Sequence, residues 1–164
     1  MRFSPHFSYS HEIVNRLTRI TASREVILHA HLVPKWEVSL RREQLVRAAH
    51  ASTAIEGNPL TLEEVSRLAE GRRIMAGRKA QAEVLNYLKV LGQIDTYQNQ
   101  GNITIETLLR LHRDVTGGTL EDPADEGAFR KVQVVVGNRV TRTIVYTAPP
   151  PGEVVPLVEA FIAW

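Results

Sequence analysis

The sequence predicts a mainly α protein, about six helices with one β-hairpin. Three observations predict it. Apolar residues recur at three- and four-residue spacing along most of the chain. Helix boundary residues punctuate that pattern: Glu56-Gly57-Asn58-Pro59, Thr61 with Glu64, Gly101-Asn102 and Gly117-Gly118. The period changes only once, between Phe129 and Tyr146, where Val-rich text surrounds Gly137-Asn138.

Taken in order, the first nine residues read as an arm, and a helix begins at Ser10. Ile13, Leu17, Ile20, Ile27 and His31 share one face of it, and Pro34 is expected to end or kink it. Residues 1–36 thus form an N-terminal helical extension. A second helix is expected from about Glu37 to Ala54, with Leu40, Gln44, Val46 and Arg47 among its turns. Gly57 and Asn58 tolerate positive φ, and Pro59 cannot continue a helix. Thr61-Leu62-Glu63-Glu64 is a capping box that opens a short helix stopping near Gly71. After a basic connector, Arg72 to Lys79, a long helix is expected from Lys79 to Gln98, with Val84, Leu85, Leu88, Leu91 and Ile94 as its stripe. Thr104 opens the next, with Leu108, Leu111 and Val115 inward. Strands are expected over 132–136 and 140–146, with Gly137-Asn138 in or near the turn. Ala148-Pro149-Pro150-Pro151-Gly152 reads as extended, and Val154 to Trp164 as a last helix. That helix shows no stop signal, so the chain is expected to be a fragment.

Composition narrows the function. The 164 residues are 43% hydrophobic and 23% charged, which excludes a wholly disordered chain. A chain of this size buries about 70% of its unfolded surface, so one core is expected. With no Cys, disulfides, thiolate metal sites and a Cys nucleophile are excluded. No apolar run approaches the ~20 residues of a membrane helix, and the start lacks a secretory signal; no membrane association and a cytoplasmic location are the expectation. The net charge of +2 neither requires nor excludes nucleic acid, but the Arg72, Arg73, Arg78, Lys79 run has no interleaved aromatics, so a solvated connector is expected there.

Glu56 is the residue that invites chemistry. A carboxylate at a helix C-terminus is electrostatically misplaced, because the dipole there favours cations. Either it points into solvent before a turn or something cationic offsets it. His112, in a Leu-rich helix, is expected to be a hydrogen-bonded core residue rather than a catalyst. His29 and His31 face different ways on a helix, so they make no metal pair. Glu121, Asp122, Asp125 and Glu126 read as a solvated acidic loop. No metal site and no catalytic residue are assigned.

Ser52-x-x-x-Glu56-Gly57, followed by Asn58, Leu60 and Thr61, closely resembles the inhibitory motif [S/T]-x-x-x-E-[G/N] of Fic-domain proteins. Leu111-His112-Arg113 is similar to the Leu-His-Arg of a Fic helix. Gly127 to Val134 resembles the entry to the Fic flap hairpin, Tyr146-Thr147-Ala148-Pro149-Pro150 its exit, and Trp164 the Trp closing the next helix. The resemblance covers roughly residues 40 to 164, in order and in register. It implies that 37–164 is the N-terminal part of a Fic-type helical domain: inhibitory helix, helical core and flap.

It also implies an activity. Fic proteins mostly transfer AMP from ATP, with Mg²⁺, to a Ser, Thr or Tyr hydroxyl of a target protein, using a loop H-P-F-x-[D/E]-G-N-G-R-x-x-R. In self-inhibited members the motif Glu pairs with the second Arg of that loop, and the γ-phosphate loses its partner. Here Glu56 matches the inhibitory acid, and Ser52 and Gly57 complete the motif. Val132, Gln133, Val134, Val136 and Tyr146 match the flap that docks the target by strand addition. The loop itself does not occur in the sequence. The chain is therefore expected to be inactive alone and to bind neither ATP nor Mg²⁺ by itself, those belonging to the parent protein. Its expected partners are the parent's target protein and, through exposed apolar surface, a second copy of itself. The alternative is a stand-alone helical regulatory module that inhibits another protein in trans, as an antitoxin would.

Overall fold

Ser10 opens the first helix, α1 (His11–Leu28): its hydroxyl accepts the Ile13 N–H at 3.2 Å. The computed structural model describes residues 3–30, 33–97, 102–138 and 141–164. These form two units, one spanning Ser4–Glu43 and the other made of Phe3 with Gln44–Trp164. In the first unit, Ile13, Leu17, Ile20 and Ile27 line α1 as the spacing predicts, yet none is buried. The fifth residue of that face, His31, lies outside the described residues. Pro34 does not terminate this helix. It begins the next one, α2 (Pro34–Ile55), where its absent N–H leaves no bond unmade and its fixed φ suits the first turn.

The second unit holds the core. Val46 and Ala49 of α2, Leu60 of the following turn, Val65 and Leu68 of α3 (Leu62–Ala69), and Val84 of α4 (Arg78–Gly92) close on one another, with Ile74, Tyr87 and Leu88 against them. α3 begins with the expected capping box: the Thr61 hydroxyl accepts the Glu64 N–H at 3.3 Å, and Glu64 Oε2 accepts the Thr61 N–H at 2.8 Å. α4 is shorter than its apolar stripe predicts. It stops at Gly92, a weak helix former, and the chain tightens into a 3-10 turn at Ile94–Tyr97. The expected end at Gln98 and break at Gly101 lie outside the described residues. Buried Tyr97 explains the early turn, since its hydroxyl donates to Asp114 Oδ2 at 2.6 Å and the Arg110 guanidinium lies 4.4 Å from its ring centroid.

Thr104 caps α5 (Ile105–Thr116) as expected. Of the three residues expected inward, Leu111 and Val115 are half-buried and Leu108 is exposed. Two antiparallel strands follow, β1 (Val135–Asn138) and β2 (Thr143–Thr147), paired with Val136 opposite Tyr146. The expected second strand began at Val140, which lies outside the described residues. The last helix, α6 (Pro151–Ile162), starts three residues earlier than Val154, because Pro151 takes the first helical position. Only the segment up to Pro150 is extended. Phe3 packs edge-on against Phe161 and Trp164, with ring centroids 5.3 and 5.5 Å away.

The described residues bury less than expected. α1, α6 and the hairpin contribute no buried residue. Among the described residues no helix is long and apolar enough to cross a membrane.

Candidate functional site

The end of α2 is built to present one residue. Thr53, buried, donates its hydroxyl to Ala49 O at 2.9 Å, which keeps its side chain inside the helix. After Ile55 the backbone closes in a Schellman motif: the Gly57 N–H bonds Ala54 O at 3.0 Å and the Asn58 N–H bonds Thr53 O at 3.0 Å. Gly57 supplies the left-handed residue, φ +89°, that this motif needs. Glu56, immediately before it, is exposed. Among the described residues no side chain partners its carboxylate. The negative charge therefore sits at the negative end of a helix with no side chain among the described residues paired to it.

Asn58 anchors the turn that follows. It is 8% exposed, and its side chain is fully engaged. Nδ2 donates to Ala80 O at 2.9 Å and to Glu83 Oε2 at 2.8 Å, while Oδ1 accepts the Leu60 N–H at 3.1 Å. Ser52, one turn before Glu56, accepts a hydrogen bond from the Tyr87 hydroxyl at 2.9 Å. The motif residues Ser52, Glu56 and Gly57 thus lie on one stretch of backbone that α4 grips on both sides.

The hairpin residues form a second group. Val136 and Tyr146 face each other across the pair, but Val132, Gln133 and Val134 precede β1 rather than lying in it. Side chains explain the shifted boundary. Gln133 Nε2 donates to Ala148 O at 2.6 Å and the Arg130 guanidinium donates to Pro149 O, so the two arms are tied below the ladder by side chains. The Ala148 N–H adds one backbone bond to Val134 O at 3.1 Å. Gly137 and Asn138 belong to β1, near the turn rather than in it, with a bulge between Val136 and Gly137. Every described strand residue is exposed.

His112 is hydrogen-bonded as expected but not buried: its Nδ1 accepts the Gly127 N–H at 3.0 Å, on an exposed stretch of α5. Together with the bond from the Gly118 N–H to Glu126 Oε1 at 2.7 Å, it fastens the loop that leads to the hairpin. In the acidic loop, Asp122 caps a short 3-10 turn through the Ala124 N–H. Among the described residues no group of three or more His, Asp or Glu side chains could hold a metal ion.

Asn58, Glu83 and Tyr87 are the site residues that sequence reasoning missed as partners. Asn58 before Pro59 signals a side-chain-stabilised turn. Glu83 and Tyr87 carry no local signal, because their partners lie 25 and 35 residues away.

The fold is a mainly helical domain with one two-stranded antiparallel hairpin. The chain is 30% identical over 152 residues to a protein adenylyltransferase Fic of Drosophila willistoni, covering 91% of the chain and 29% of that protein. It is 27% identical over 153 residues to a protein adenylyltransferase Fic of Culex quinquefasciatus, again over 91% of the chain and 29% of the relative. Among solved structures, a Fic family protein from Desulfovibrio desulfuricans G20 superposes with a TM-score of 0.76 at 25% identity, over 99% of this chain and 47% of that one. No family model matches the chain. The relatives and the fold together support a Fic-domain protein. It spans 29% of the length of these curated relatives.

Proposed function

We propose that this chain is the regulatory and flap portion of a protein adenylyltransferase whose activity is held off in cis by Glu56. The observation that carries the reading is the exposed Glu56 carboxylate, set at the negative end of α2 with no cationic partner among the described residues. Such a group awaits a guanidinium. An Arg fork pairs with a carboxylate through two parallel hydrogen bonds, the geometry with which it would otherwise hold a phosphate. One Arg cannot do both, so pairing with Glu56 withdraws it from the nucleotide. That Arg, the residues that bind ATP and Mg²⁺, and the base that takes the acceptor proton belong to the rest of the parent protein.

In the transfer, the acceptor hydroxyl oxygen bonds to the α-phosphorus of ATP, the bond from that phosphorus to the bridging oxygen breaks, and pyrophosphate leaves. This chain contributes position. The exposed hairpin offers unpaired strand edges to which an extended segment of the target protein can add, placing its Ser, Thr or Tyr hydroxyl. Val136 and Tyr146 are the paired residues of that platform, with Val132, Gln133 and Val134 at its base.

The test is Glu56→Gly in the full-length protein, read as labelled AMP incorporated from ATP. An increase of about tenfold or more is expected, the effect of losing one charge-assisted pair. Unchanged incorporation, with the fold intact, removes the inhibitory role from Glu56.

A further inference from the structure

We infer that Asn58 and Glu83 are positioning residues for Glu56: their hydrogen bond fastens the turn that carries Glu56 to α4 and so sets how firmly the acid can hold its partner. The inference rests on the reading of Glu56 as the inhibitory acid.

Glu56 lies beyond the last helical residue of α2, where helix ends fray. Three backbone bonds, from the Glu56, Gly57 and Asn58 N–H groups to Thr53 O and Ala54 O, close its turn, and none fixes that turn relative to the rest of the unit. Asn58 does. Both its amide and its carbonyl are used, on Ala80 O, Glu83 Oε2 and the Leu60 N–H, and it is 8% exposed. Leu60, two residues on, is buried in the core. The chain is thus pinned two residues after Glu56. It is pinned again four residues before it, where the Tyr87 hydroxyl meets Ser52 Oγ at 2.9 Å. Ala80, Glu83 and Tyr87 recur at spacings of three and four, so one face of α4 supplies every partner but the Leu60 N–H.

Glu83 is the strong member. It accepts from an amide as a carboxylate, and such charge-assisted bonds are about twice as strong as neutral ones. It sits on another helix from Glu56, 27 residues along the chain. Its influence on the acid therefore passes through Asn58 and not through contact. An acid on a loosened turn samples many positions, and ordering it again opposes pairing with its Arg. Weakening the clamp lowers inhibition without removing the inhibitory carboxylate.

The test uses three variants of the full-length protein, Glu83→Ala, Glu83→Gln and Tyr87→Phe, with two readouts: amide hydrogen exchange at Gly57 and Asn58, and AMP incorporation. Glu83→Ala is expected to raise both about tenfold. Glu83→Gln keeps an acceptor for Asn58 and is expected to stay within about threefold of the wild type. Tyr87→Phe removes one hydroxyl, leaves the core ring in place, and is expected to fall between. On a Glu56→Gly background, Glu83→Ala should add nothing to incorporation.

Exchange unchanged in both Glu83→Ala and Tyr87→Phe overturns the clamp. Faster exchange with unchanged incorporation, where Glu56→Gly does raise incorporation, overturns its role in inhibition. Glu83→Gln behaving as Glu83→Ala overturns the hydrogen bond as the cause. Should Glu83→Ala not fold, Tyr87→Phe and Glu83→Gln still decide. If Glu56→Gly itself changes nothing, it is the reading of Glu56 that fails, and exchange at Gly57 still judges the clamp by itself.

Discussion

Two glycines with nearly the same backbone should respond very differently to alanine. Gly57 and Gly127 both have positive φ, +89° and +70°. Either substitution incurs the left-handed penalty of about 1–2 kcal/mol, partly offset by about 0.4–1 kcal/mol from a stiffer unfolded chain. At Gly57 a Cβ meets nothing within 4 Å, so the net loss is about 1 kcal/mol. At Gly127 it would lie 2.8 Å from Arg113 Cβ and 2.8 Å from Leu109 O. Neither is the free end of a flexible side chain, so α5 or the loop has to move, at a further cost of about 1–3 kcal/mol. Moving the loop also stretches the bond from the Gly127 N–H to His112 Nδ1. Gly127→Ala should therefore lose about 2–4 kcal/mol in all. Urea unfolding followed by circular dichroism at equal slope reads the difference as a midpoint lower by about 1 M than that of Gly57→Ala. A Gly127→Ala midpoint equal to or above that of Gly57→Ala would refute the account of this loop as packed against α5.

The capping box gives a pH-dependent prediction. The backbone N–H of Thr61, then its hydroxyl, hold the Glu64 carboxyl below the usual glutamate range. Its contribution is present above the unfolded pKa and is lost as pH falls through the lowered folded one. Thr61→Ala keeps the backbone bond and removes the hydroxyl, so the stability gap between wild type and this variant should narrow in acid unfolding curves. For Tyr97 the sign is opposite: its hydrogen bond to Asp114, then burial, push the phenol up. That stability persists below the unfolded pKa and is lost as pH rises through the folded one, so ultraviolet titration should show one tyrosine ionising late, and Tyr97→Phe should abolish it. Gln133→Ala removes the tie to Ala148 O and should lower transfer to a target while leaving the unfolding free energy within about 1 kcal/mol of wild type.

Much of this was legible because it was local. Ser10, Thr61 with Glu64, and Thr104 each announce a helix start within four residues, and each caps as its chemistry dictates. Gly57 after Glu56 announces its turn in the same way. The misreadings share a cause: a local rule with two outcomes, chosen between by tertiary contacts. Proline ends one helix and begins another, and at both Pro34 and Pro151 it begins one. The apolar stripe of α4 runs on past Gly92, but the bond from Tyr97 to Asp114 bends the chain toward α5 first. Gly137-Asn138 has the composition of a hairpin turn, while Gln133 and Arg130 move the start of the ladder along the chain. In the site, Glu56 stood out by its charge at a helix end. Its support did not, since a hydrogen bond between residues 25 apart leaves no period in the sequence.

α4 emerges as the element on which both candidate regions depend. Its Ala80, Glu83 and Tyr87 hold the turn that bears Glu56. Between them in sequence, Asn86 donates to Val115 O at 3.1 Å and to Gly117 O at 2.8 Å, closing the end of α5 from which the loop to the hairpin departs. These last carbonyls of a helix have no partner of their own, so Asn86 does for α5 what a terminal glycine motif does for α2. Asn86 and Tyr87 are consecutive and so point to different sides: α4 holds the turn that bears Glu56 on one side and the end of α5 on the other. A substitution that tilts α4 should then disturb both together. Asn86→Ala leaves the Glu83 and Tyr87 bonds intact and frees only the end of α5. It should speed hydrogen exchange across residues 117–128 while Gly57 exchanges at the wild-type rate. Equal acceleration at Gly57 would mean that the two regions move as one body and that α4 does not separate them.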